Sequence, residues 1–173
     1  MMKGILQELM QVCAQLPEDA ASKAAQVLEG HKRVFFYAAG RSGLMLRALA
    51  MRMAQMGKCV YVVGETVTPA IEAGDLLMLA SASGNTQSVC RYAQIARDVG
   101  ADLFVISAAE TSELAQIHAP DVLLPTPSKD QAGASGQVMG SLFEQSLLLF
   151  GDSVVRLLAK DTQGMRRMHA NLE

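Results

Sequence analysis

The sequence predicts an α/β fold: a single doubly wound sheet of five parallel strands with helices on both faces. Two observations carry that prediction. From Arg33 onward, short β-branched or aromatic runs alternate with segments of helical periodicity. The runs are also apolar without interruption, as in Leu103-Phe104-Val105-Ile106, which suits strands covered on both faces. A chain of 173 residues is sized for one domain, residues 1–173, led by a helical extension over about 1–31.

The elements follow in order. Ile5, Leu6, Leu9, Val12 and Cys13 recur at helical spacing and predict a helix over 3–15. Leu16-Pro17 separates it from a second helix over 18–30, whose first turn takes Pro17, Glu18 and Asp19 well. Strands are predicted near 33–39, 58–63, 75–81, 102–107 and 121–124, and helices near 42–56, 86–99, 111–117 and 138–160. His31 is placed to close the C-terminal end of its helix. Residues 125–137, with Pro125, Pro127, Gly133 and Gly136, form the one long loop, and loops of that length are often functional. Right-handed crossovers leave few topologies, of which 2-1-3-4-5, the flavodoxin-like order, is a common one. In that order the carboxyl ends of strands 1 and 3 flank the switch point where ligands bind.

Those two strands carry the most informative residues. Gly40-Arg41-Ser42-Gly43 follows the first, and Ser81-Ala82-Ser83-Gly84-Asn85-Thr86 follows the third. Ser42, Ser83 and Thr86 stand at or near helix starts, where N-capping is an ordinary job for a hydroxyl. Together, however, the loops surround one crevice with small hydroxyls and free N–H groups, which is what a phosphate dianion needs. Arg41 is either a further anion contact or a surface residue in a turn. Thr66 and Thr68 either line the rim or form the turn before Pro69. A dinucleotide site is the rival, since Glu65 follows strand 2 where a ribose-binding acid is expected. The GxGxxG spacing is missing, and that reading leaves the second hydroxyl loop unexplained.

Glu144 is the candidate general base. On helix 138–160, Ser141, Gln145, Asp152 and Arg156 form a polar stripe, with Asp152 and Arg156 spaced for a surface pair. Glu144 lies about 90° from the centre of that stripe, counting about 100° per residue. Its helical neighbours are Gly140, Ser141, Leu147 and Leu148, none of them a cation, so partial burial is expected to raise its pKa. The bland alternative is an acid at a helix edge. His31, His118 and His169 share no metal-ligand spacing, and His169 lies in a tail beyond an expected helix break at Gly164.

Composition limits the function classes. The net charge is −2, giving no basic field for nucleic acid. No apolar run approaches the ~20 residues that span a bilayer. Half the residues are apolar and only 5% aromatic, so Ala, Leu, Val and 11 methionines supply the core and any interface. Cys13, Cys59 and Cys90 are scattered and odd in number, as expected of reduced thiols in a cytoplasm.

At these residues the chain resembles a sugar isomerase (SIS) domain and, within that group, the 6-phospho-3-hexuloisomerase family. The matching stretches are Ala39-Gly40-Arg41-Ser42-Gly43, Val62 to Ile71, Gly74-Asp75-Leu76-Leu77, Gly140-Ser141-Leu142-Phe143-Glu144 and the terminal His169-Ala170-Asn171-Leu172-Glu173. Ala82 and Asn85 stand where the family's second loop usually has Gly and Glu, and the hydroxyls of Ser81, Ser83 and Thr86 are kept. The resemblance implies reversible conversion of 3-hexulose 6-phosphate to fructose 6-phosphate, the step after formaldehyde fixation in the ribulose monophosphate pathway. It implies that Ser42 and residues 81–86 hold the phosphate, that Glu144 is the catalytic base, and that His169 assists from the tail, from a neighbouring subunit of a homotetramer. The apolar content of helices 42–56 and 138–160 suits such an assembly. The enediol chemistry needs neither a metal nor a redox cofactor. Two alternatives stay open: another aldose–ketose isomerase of the same group, such as one acting on arabinose 5-phosphate, and a sugar-phosphate sensor without chemistry.

Overall fold

The computed structural model describes residues 2–127 and 135–169. Two helices, α1 (Met2–Gln15) and α2 (Ala20–Gly30), precede the sheet. The alternating part runs β1 (Arg33–Ala38), α3 (Gly40–Gln55), β2 (Cys59–Val62), β3 (Leu76–Ser81), α4 (Gln87–Asp98), β4 (Asp102–Ser107), α5 (Glu113–Ile117) and β5 (Val122–Leu123). Then come α6 (Ser141–Leu158) and α7 (Thr162–Arg167). The sheet is parallel throughout, in the order β2-β1-β3-β4-β5 that the sequence predicts.

Strand alternation divides the core into two layers. Phe36, Met78, Phe104 and Ile106 point to the face covered by α2, α3 and α6, where they meet Met53, Phe143 and Phe150. Phe35, Leu77, Leu79 and Val105 point to the other face, against Val89 and Ala93 of α4 and Leu114 of α5. All six residues of β3 are buried, which is why its apolar run shows no alternation. A Cβ on Gly43 would stand 2.4 Å from the Ala38 carbonyl oxygen, so this glycine lets the first turn of α3 fold back onto the end of β1.

Several boundaries differ from the sequence expectation for local reasons. Helix α2 begins at Ala20, because Pro17–Asp19 forms a turn in which Asp19 pairs with Lys23 at 2.7 Å. Strand β5 is only two residues long, since Asp121 turns its carboxylate onto the Val105 N–H at 2.7 Å instead of extending the strand. Helix α6 starts at Ser141, after two left-handed residues, Met139 (φ 55°) and Gly140 (φ 79°). The expected break at Gly164 is a short helix instead. There Asp161 accepts a hydrogen bond from the Gly164 N–H at 2.8 Å and caps α7. Asp152 and Arg156 are both exposed, and no ion pair joins them. Gln145, expected on the same polar stripe, is half-buried, with Oε1 enclosed.

Charged groups fix the amino end of the sheet, opposite the switch point. Asp75 is buried and receives Arg33 Nε at 2.7 Å, a second Arg33 nitrogen and the Glu72 N–H at 2.8 Å. The guanidinium holds the Asp75 carboxyl below the usual carboxylate range. His31 caps α2 as expected: Nδ1 donates to the Val27 carbonyl at 2.7 Å and Nε2 faces Asp102 at 2.9 Å. Partial burial pulls its pKa down, but the bonds to Asp102 and Val27 raise it above the ordinary value. Among the described residues, no helix is long and apolar enough to cross a membrane.

Candidate active site

The ends of β1 and β3 lead directly into the two hydroxyl loops, and both loops open onto one cleft. From the first come Ala39 and Ser42, in the opening turn of α3. From the second come Ser81, Ala82, Ser83 and Thr86. The start of α6 closes the third side with Met139, Gly140, Phe143 and Glu144. The amino ends of α3 and α4 therefore meet here, and their first N–H groups and dipoles favour an anion.

The second loop is held in shape by its own hydroxyls and by α5. Ser81 Oγ accepts from the Gly84 N–H at 3.1 Å and lies 3.1 Å from Thr86 Oγ1, while Ser83 Oγ accepts from the Asn85 N–H at 3.2 Å. Thr86 occupies the N-cap position of α4 without a side-chain cap bond, so its hydroxyl stays with the loop. Gly84 has φ 63°, and a Cβ there would fall 2.1 Å from Ser112 Oγ, so only glycine lets the loop lie against α5. Asn85 Oδ1 accepts from the Glu113 N–H at 2.9 Å, and the Gly84 carbonyl accepts from the Leu114 N–H at 2.9 Å. Gly84 and Asn85 thus shape the loop from behind; Ser81, Ala82, Ser83 and Thr86 face the cleft.

The sequence reading missed Ser107 beneath this loop. It is fully buried, donates to the Ser81 carbonyl at 2.8 Å and accepts from the Ala109 N–H at 3.1 Å. Its position at the carboxyl end of β4, beside the switch-point strand, is the signal that would have found it.

Glu144 lies in the first turn of α6 with its side chain 12% exposed. The expectation that no cation stands beside it is corrected. Arg41, carried by the first loop, reaches across and pairs its Nη1 with Glu144 Oε2, and the same nitrogen donates to Ser141 Oγ at 3.1 Å. The helical neighbours indeed include no cation; the partner comes from another element. Arg41 is half exposed, so it sits at the rim and holds the carboxylate from the solvent side.

Four other candidates lie away from the cleft. Thr68 Oγ1 donates to the Val62 carbonyl at 2.6 Å, a turn role, and Thr66 is exposed. Glu65 pairs with Arg47 at 2.7 Å. His169 is exposed just beyond α7, and α7 borders a depression with Gln55, Met56 and Gly57 at the far end of α3. The 16 residues of α3 span about 24 Å at 1.5 Å per residue. His169 therefore stands at the opposite end of α3 from the cleft of its own chain.

Comparisons with known proteins bear on the family and the fold. The SIS domain family model matches residues 27–149. A 3-hexulose-6-phosphate isomerase of Mycobacterium gastri is 41% identical over 163 residues, covering 91% of this chain and 81% of that protein. One from Bacillus subtilis is 36% identical, covering 98% and 95%. Among solved structures, a Methanococcus jannaschii protein whose structure was taken to infer 3-hexulose-6-phosphate isomerase function superposes with a TM-score of 0.84. It is 27% identical, with 99% of this chain and 98% of that one covered. The chain belongs to the SIS domain family, alongside relatives named 3-hexulose-6-phosphate isomerase.

Proposed function

We propose that this protein interconverts D-arabino-hex-3-ulose 6-phosphate and D-fructose 6-phosphate through an enediol. The observation that carries the reading is the meeting, in one cleft, of two hydroxyl-lined helix starts and a nearly buried, ion-paired carboxylate. Ser42, Ser81, Ser83, Thr86 and the amino ends of α3 and α4 seat the phosphate. That anchor places C2 and C3 of the sugar over Glu144.

Glu144 removes the proton from C2 of the 3-ulose, the C2–C3 enediol forms, and the same carboxyl returns the proton to C3 as the carbonyl moves to C2. A hydroxyl proton passes from O2 to O3 in the same step, so the sugar gains and loses nothing. Arg41 orients the carboxylate and brings positive charge beside the developing enediolate. His169, too far from its own cleft, serves that of a neighbouring subunit in a homotetramer. The surroundings we propose are a reducing cytoplasm, in keeping with Cys13, Cys59 and Cys90 as free thiols, and the step after formaldehyde fixation in the ribulose monophosphate pathway.

The test is a coupled assay following fructose 6-phosphate formation from 3-hexulose 6-phosphate, with arabinose 5-phosphate as the comparison substrate. Preference for the hexulose supports the reading. Preference for the pentose moves the protein to another isomerase of the family, and no turnover of either makes it a sensor.

A further inference from the structure

The carboxylate of Glu8, in the middle of α1, is tied to residues 135–137, some 127 to 129 positions along the chain. It accepts from Ser135 Oγ at 3.0 Å, from the Gly136 N–H at 2.7 Å and from Gln137 Nε2 at 2.9 Å. These donors, the Gly136 N–H foremost, hold its carboxyl below the usual range. One residue beyond the tied segment, after Val138, comes the left-handed pair Met139 and Gly140, which forms part of the cleft wall.

A non-glycine residue in that conformation persists only where its surroundings over-determine it. Met139 is 79% exposed, so its own packing does not hold it. What holds the turn is hydrogen bonding on either side. Upstream is the Glu8 clamp; downstream the Val138 carbonyl accepts from the Ser141 N–H at 3.0 Å and from Ser141 Oγ at 2.7 Å. Ser141 Oγ in turn receives Arg41, the partner of Glu144.

From this chain of bonds we infer that Glu8 is a positioning residue for the isomerisation, fixing the turn before α6 and thereby the placement of Ser141, Arg41 and Glu144. The inference rests on the reading of Glu144 as the proton carrier. Glu8 has no bond to either phosphate loop, so it bears on the chemical step and leaves phosphate binding alone.

The test measures kcat, KM and inhibition by inorganic phosphate for wild type, Glu8→Ala, Glu8→Gln and Glu8→Asp, well below each variant's melting temperature. Glu8→Ala is expected to lower kcat by about 10-fold, as small misplacements of a reacting group do, while the phosphate inhibition constant changes less than about twofold. Glu8→Gln, which keeps the shape but turns a donor toward these donors, is expected to behave in the same way and serves if Glu8→Ala does not fold. Glu8→Asp should recover part of the loss. Wild-type kcat in both Glu8→Ala and Glu8→Gln overturns the inference, as does a parallel loss of phosphate inhibition, which would mark general damage. No turnover by wild type defeats the functional reading itself and the inference with it.

Discussion

Adding one methyl group at Gly84 tests how the second hydroxyl loop is held. A Cβ there would lie 2.1 Å from Ser112 Oγ and 2.6 Å from Ser112 Cβ, at a residue with φ 63°. Two penalties follow for Gly84→Ala. The left-handed backbone costs an alanine about 1 kcal/mol, and forcing the methyl into Ser112 adds about 1–3 kcal/mol of overpacking. Ser112→Gly removes both clashing atoms; since glycine is a tolerable N-cap, it should cost only about 0.5 kcal/mol through the lost bond to the Ala115 N–H. In the Ser112→Gly background, Gly84→Ala should then cost only the backbone share. A double-mutant cycle in urea should therefore return a coupling of about 1–3 kcal/mol, with inorganic phosphate affinity lost in Gly84→Ala and partly restored in the double variant. Additivity within about 0.5 kcal/mol would refute the claim that the loop is seated against α5 through this contact.

Two further outcomes are expected. Arg41→Ala should lower kcat by about 10-fold or more, because the carboxylate loses the charge-assisted bond that orients it, and should leave inorganic phosphate inhibition nearly unchanged; steady-state kinetics with phosphate as competitor checks this. For His31, the raised native pKa means that its stabilising contribution is fully present below about 6.5 and is lost as pH rises through the native value. Urea midpoints at pH 5.5 and 8.5 should thus show wild type losing its advantage over His31→Gln at the higher pH.

The parallel sheet was legible because the middles of β1, β3 and β4 are continuous apolar runs, which suits strands covered on both faces, and right-handed crossovers leave few orders for them. That the two hydroxyl loops share one cleft was legible because switch-point geometry and local hydroxyl density are both written in short stretches. Long-range pairing was not. Arg41 meets Glu144 across 103 residues of sequence, and counting neighbours along one helix sees only that helix. Helix α7 was hidden for a different reason: glycine lowers helix propensity, while the bond from Gly164 to Asp161 that offsets it depends on geometry. Asn85 carried an ambiguous signal as well. Its place in the loop suggested the ligand, but its side chain holds the start of α5.

The account depends on Glu144 carrying the proton. Replacing it with glutamine preserves shape and removes the base, so binding and turnover can be measured separately in Glu144→Gln. A folded protein that still binds fructose 6-phosphate but converts it at least ~100-fold more slowly is the expected result. Turnover within a few-fold of wild type would take Glu144 out of the chemistry and leave the cleft as a binding site only.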